Sequence, residues 1–72
     1  MPPVRVTVAH GEETADPIAE LWVGDDLLAV TFLYDGRLHL RIAARPGGKP
    51  WEIESASLAL ALDSAARQIA GY

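Results

Sequence analysis

The 72-residue chain contains no cysteine, so neither a disulfide nor a thiolate metal site can stabilise it. Aromatic residues make up only 7% of the sequence, and no apolar run approaches the roughly 20 residues that span a bilayer. Residues 1–5 lack the basic region and the long apolar stretch of a signal peptide. We therefore expect a cytoplasmic domain that does not use a membrane as a partner.

The overall composition predicts one small folded domain. Half of the residues are apolar and 22% are charged, a balance typical of globular rather than disordered chains. A chain of 7.7 kDa is near the lower size limit for one hydrophobic core, so residues 1–72 should form a single domain. The net charge of −4 disfavours nucleic acid as a partner. Five arginines beside one lysine and no asparagine are typical of a GC-rich bacterial or phage gene.

Alternating or apolar segments bounded by turn residues predict four strands, at residues 4–9, 18–23, 27–34 and 37–44. Gly24-Asp25 suits a two-residue type II′ turn because glycine stands at its first central position. Such a turn would place Leu21 opposite Leu28 and Ala19 opposite Val30.

Two turns are possible at Asp35-Gly36, and they give opposite faces to the fourth strand. A two-residue turn would pair Leu33 with Leu38. A three-residue loop with Gly36 in a bulge would instead pair Phe32 with Leu38 and align the apolar residues of both strands. Hydrophobic matching favours the three-residue loop, which would gather Ala29, Thr31, His39 and Arg41 on the opposite face.

From Ser55 onward the apolar spacing becomes helical, with one face formed by Leu58, Ala61, Leu62, Ala65, Ile69 and Tyr72. Leu60 is the one large apolar residue outside that face. The predicted fold is therefore α+β: a four-stranded antiparallel meander with one C-terminal helix packed on one face, in the order β-β-β-β-α.

An exposed tryptophan marks a candidate interface. With the registers above, Trp22 points away from the helix beside Leu27 and Ala29, and Thr31 extends that patch. Together with Leu60, these residues are the candidate contacts of a homodimer or of a second protein. A small core without disulfides gives a further reason to expect dimerisation, at micromolar concentration. The alternatives are coverage of Trp22 by the loop at 10–17, or a helix packed on the other face of the sheet.

Positive charge is concentrated late in the chain, where residues 36–51 hold four bases and no acid. Arg37, His39 and Arg41 are spaced by two and share one face of the last strand, and Arg45 and Lys49 follow in the loop. They could bind a small anion or an acidic partner, or simply protect an edge strand from aggregation. No aromatic residue interleaves with these bases and the remaining surface is acidic, which again disfavours nucleic acid.

The sequence gives little support for catalysis. No cysteine nucleophile exists, the serines at 55, 57 and 64 lie in the predicted helix far from either histidine, and residues 47–49 lack the P-loop spacing. The acidic residues around His10 suit a solvated loop better than a metal site. We expect a non-enzymatic protein-interaction module without cofactor or metal that self-associates. Sensing of a small anion or nucleotide by the basic last strand is the alternative.

Overall fold

The computed structural model describes residues 3–10 and 16–71. Its elements are β1 (Val4–His10), β2 (Pro17–Val23), β3 (Asp26–Tyr34), β4 (Arg37–Ile42), a single 3₁₀ turn (Pro46–Gly48) and α1 (Ser55–Ala70). The strands form one antiparallel sheet in the order β1-β2-β3-β4. The predicted β-β-β-β-α arrangement is confirmed, with β4 two residues shorter than its predicted range of 37–44.

The β2–β3 hairpin has the predicted two-residue turn but not the predicted register. Val23 lies opposite Asp26, and of the two turn residues only Gly24 has a positive φ, +60°, as a type II′ turn requires. The register then shifts, because Trp22 lies opposite Leu27 while Leu21 lies opposite Ala29. Leu28 is the extra residue of a β-bulge. The expected Leu21–Leu28 pairing is wrong by one residue.

The three-residue loop predicted at Asp35-Gly36 is also wrong. Tyr34 lies opposite Arg37, and both turn residues have positive φ, +53° and +74°, the geometry of a two-residue type I′ turn. The bulge at Leu28 explains the difference. Beyond it, Ala29 and Thr31 point to the same side of the sheet as Leu21, whereas the predicted register placed them on the opposite side. The shorter turn then brings β4 leucines to that same side.

The core lies between α1 and one face of the sheet, where α1 packs over β1, β2 and β3. Its buried cluster consists of Ala19, Leu21, Ala61, Ala65 and Ile69, flanked by the partly buried Val4, Val6, Leu38, Leu58 and Leu62. Leu21 is the one large side chain in the described structure that is completely buried. Alanines on both layers let the helix approach the sheet closely, but they contribute little apolar area.

The helix ends at a glycine cap whose backbone is in the left-handed conformation. Gly71 has φ +72°, and its N–H donates to the carbonyl of Arg67, which satisfies one of the last free carbonyls of the helix. Within the described residues, no helix has the length and apolarity needed to cross a membrane.

Candidate interaction surface

The sheet surface opposite α1 is the candidate site, and we call it the open face. Cross-strand pairing places thirteen side chains on it: Arg5, Thr7, Ala9, Ile18, Glu20, Trp22, Leu27, Val30, Phe32, Tyr34, Arg37, His39 and Arg41. Among the described elements, no helix or strand packs over these residues. A sheet needs one buried face to fold, and this molecule has a second face rich in apolar and aromatic groups.

Apolar and charged residues are separated across the open face. The two central strands carry the half-buried Ile18, Trp22, Leu27, Val30 and Phe32. The edge strands carry Arg5 on one side and Arg37, His39 and Arg41 on the other. An apolar, aromatic centre within a charged margin is the usual anatomy of a protein–protein interface.

Trp22 is held in place by its neighbours on β1. Its indole Nε1–H donates to Thr7 Oγ1 at 3.1 Å, and the Thr7 hydroxyl donates to Glu20 Oε1 at 3.2 Å. The guanidinium carbon of Arg5 lies 5.9 Å from the centre of the Trp22 ring. Because its polar group is already bonded within the monomer, the ring can be covered by a partner with little desolvation or ordering cost.

A second aromatic group surrounds His39 at the β3–β4 edge. The His39 ring stacks on Phe32 with centroids 5.7 Å apart and meets the edge of Tyr34 at 5.5 Å, while Arg41 lies 5.2 Å from the Phe32 centroid. The expectation that no aromatic residue interleaves with the bases is therefore wrong, because cross-strand pairing places Phe32 and Tyr34 beside the basic residues of β4.

The predicted interface residues divide into accessible and buried ones. Trp22 and Leu27 lie on the open face as expected. Ala29 and Thr31 are 1% and 3% exposed and lie on the α1 side, so their expected placement beside Trp22 is wrong and they cannot contact a partner. Leu60 is 71% exposed on α1, away from the open face. Residues 11–15, in the loop considered as a cover for Trp22, lie outside the described residues.

The predicted anion-binding group is also split. Arg37, His39 and Arg41 share the open side of β4. Arg45 instead organises the following loop: its Nη1 donates to the carbonyl of Pro50 at 2.7 Å, and its guanidinium lies 5.6 Å from the centre of the Trp51 ring. Lys49 is exposed at the end of the 3₁₀ turn.

One depression of about 150 Å³ adjoins the basic strand. Its lining consists of Asp16, Pro17, Ile18, Phe32, Leu33 and Arg41. The same lining thus carries one carboxylate and one guanidinium, and the carboxylate of Asp16 lowers its affinity for a small anion.

Comparison with known proteins gives no information about the role of these residues. No protein-family model, curated protein or solved structure matches the chain. Among the described residues, no group of three or more His, Cys, Asp or Glu side chains could hold a metal ion. Two of the acidic residues near His10, Glu12 and Glu13, lie outside the described residues. The function of the chain is therefore inferred from the geometry of the open face.

Proposed function

We propose that the chain is a non-enzymatic protein-interaction module that forms a homodimer by packing the open faces of two copies against each other. The observation that carries this proposal is the apolar, aromatic centre of the open face, formed by the two central strands within a charged margin. The dimer would have four layers in the order helix, sheet, sheet, helix. Its two sheets would share a second apolar core, as the sheets of a β-sandwich do.

The small core of the monomer supports association. Leu21 is the one large side chain buried completely in the described structure, and three of the five residues in the buried cluster are alanines. A domain of this size has little free energy to spare, and covering Trp22, Val30 and Phe32 adds about 25 cal/mol for each Å² of apolar surface removed from water. Dimerisation would therefore stabilise the fold as well as create an assembly.

The dimensions of the sheet predict a weak dimer. Four strands about 4.8 Å apart and about 23 Å long give a flat area slightly above 400 Å² per copy. Two such faces would bury roughly 900 Å² in total, below the roughly 1,200–2,000 Å² of stable interfaces and in the range of weak, transient ones, so a micromolar or weaker dissociation constant is expected. Monomer and dimer should therefore exchange in solution.

Salt should strengthen this dimer. The open face carries three arginines against one glutamate, Glu20, so two such faces repel each other until ions screen them. We expect sedimentation equilibrium between about 1 µM and about 1 mM protein to show a species of twice the 7.7 kDa chain mass with a micromolar Kd. Raising NaCl from about 50 mM to about 500 mM should lower that Kd several-fold.

Two outcomes contradict the proposal. A 7.7 kDa monomer at every concentration and at both salt concentrations would exclude the homodimer. A dimer that weakens several-fold at high salt would mean that the arginines face acidic groups of the second copy, and hence that the open faces do not meet.

A further inference from the structure

We propose that the free edge of β4 binds an extended peptide segment of a partner protein, in which acidic residues alternate with apolar ones. The segment would add a fifth strand to the sheet, a known mode of peptide recognition. The outward backbone groups of β4 lie beside the open face rather than on it, although the side chains of His39 and Arg41 belong to both surfaces; the inference does not depend on the proposed homodimer.

The hairpin geometry shows which backbone groups face outward from β4. Tyr34 and Arg37 flank a two-residue turn and therefore form a hydrogen-bonded pair. Because backbone groups alternate in direction along a strand, the N–H and C=O groups of Arg37, His39 and Arg41 point toward β3. The N–H of Ala43 donates to the carbonyl of Leu28 at 2.8 Å, which agrees with that alternation.

The backbone groups of Leu38, Leu40 and Ile42 consequently point away from the sheet. None of the described loop, turn or cap hydrogen bonds involves these three residues. The edge thus presents three donors and three acceptors at the spacing of a β-ladder. An added strand can bond to all of them without disturbing β3.

The opposite edge of the sheet is less suitable. The N–H of Val4 on β1 donates to Ser57 Oγ of α1 at 3.0 Å, and α1 packs over β1. On the α1 side of β4, by contrast, Leu40 is 41% exposed and Ile42 is 64% exposed. Apolar surface and free backbone groups therefore coincide at β4.

The side chains of β4 define the composition of the added strand. Side chains directly opposite each other in a sheet lie on the same face. Residues opposite Leu38, Leu40 and Ile42 should be apolar, and residues opposite His39 and Arg41 should be acidic. These pairings cover the exposed aliphatic groups on one face and match opposite charges on the other.

The same charges argue against a second copy as the occupant. Antiparallel pairing of two β4 strands would set Arg37, His39 and Arg41 of one copy beside the same residues of the other. Like charges directly across a ladder are destabilising, and a charged edge is a common defence against self-pairing. A partner strand that carries carboxylates removes this repulsion.

A synthetic peptide tests the inference with the full chain. The probe is a capped peptide of sequence Val-Glu-Val-Glu-Val-Glu-Val, titrated into labelled protein and followed by NMR. Its controls are Val-Lys-Val-Lys-Val-Lys-Val, which reverses the charge, and Val-Glu-Val-Glu-Pro-Glu-Val, which keeps all three carboxylates and removes the N–H of a valine that would pair with the outward groups of β4. We expect the acidic probe to shift the amides of Leu38, Leu40 and Ile42, with a Kd at least about 10-fold lower than that of either control.

Two protein variants separate backbone pairing from charge attraction. Leu40→Pro removes an outward N–H on an edge strand, where proline is tolerated, and should weaken binding at least about 10-fold. The double variant Arg37→Glu/Arg41→Glu should reverse the preference so that the lysine peptide binds more tightly. If Leu40→Pro does not fold, the charge-reversal variant alone decides.

Several results would overturn the inference. These are equal affinity for the acidic and lysine peptides, shifts confined to open-face residues of β1, β2 and β3, or no β4 shifts with about 1 mM acidic probe. Failure of the homodimer would appear separately, as a sedimenting monomer whose β4 amides still respond to the probe.

Discussion

Trp22→Glu is expected to convert the dimer into a monomer, raising the Kd for self-association at least about 100-fold, or about 2.7 kcal/mol. The substitution removes the largest aromatic group at the centre of the open face and places a carboxylate where the second copy would exclude water. In the monomer the new carboxylate lies beside Arg5, so the fold should survive. Sedimentation equilibrium measures the effect, and circular dichroism verifies folding.

Two further variants locate the interface. Val30→Lys places a charge elsewhere at the centre of the open face, opposite Glu20 on β2, and should also dissociate the dimer. Leu60→Glu is the matched control, because Leu60 is an exposed apolar residue of α1 away from the open face, and it should leave the Kd unchanged. Dissociation by Leu60→Glu, with Trp22→Glu still dimeric, would move the interface to the helix and refute the account.

Leu21→Ala is expected to remove about 3 kcal/mol of stability. Leu21 is completely buried against the alanine face of α1, and truncation would leave a cavity that small neighbours cannot fill. A domain of this length has a free energy of unfolding of roughly 4–10 kcal/mol, so the variant should lose a large part of its stability. Urea unfolding at one fixed low protein concentration measures the change. Leu60→Ala should stay within about 0.5 kcal/mol of the original chain.

Thr31→Val should stabilise the core that Leu21→Ala destabilises. The Thr31 hydroxyl is buried and has no hydrogen-bond partner among the described residues, so its desolvation is uncompensated. Replacing it by a methyl group of similar size should raise the free energy of unfolding by about 1 kcal/mol. A loss of more than about 1 kcal/mol would show that this hydroxyl is bonded in solution, which contradicts the packing described here.

The order of elements follows from local features of the sequence. Valines at period two predict β1, Gly24 predicts the type II′ turn, and the change to helical spacing after Ser55 predicts α1. Each depends on neighbouring residues alone, through backbone preference or burial of one face. Predictions made from such features are not affected by an error in the register of another segment.

Register could not be predicted in the same way, because β3 is apolar on both faces. Its bulge at Leu28 has no glycine to mark it, and hydrophobic matching alone favours the wrong loop at Asp35-Gly36. The turn preference of Asp-Gly for type I′ geometry was the feature that could have given the correct pairing. It would also have revealed the stacking of Phe32 on His39.

The same bulge explains which candidate residues were assigned to the correct face of the sheet. Trp22 and Leu27 lie between the bulge and the Gly24 turn, so their pairing follows from the turn. Ala29 and Thr31 lie beyond the bulge, where the alternation changes face. An error of one residue in the register of a strand therefore assigned two buried residues to the surface.

The most direct test of the central claim is an NMR concentration series of the unmodified chain from about 10 µM to about 1 mM, which spans a micromolar Kd. Self-association through the open face should shift the Trp22 indole N–H and the amides of Val30 and Phe32 progressively and leave Leu60 unchanged. Shifts confined to α1, or spectra that superimpose over the whole series, would contradict self-association through the open face.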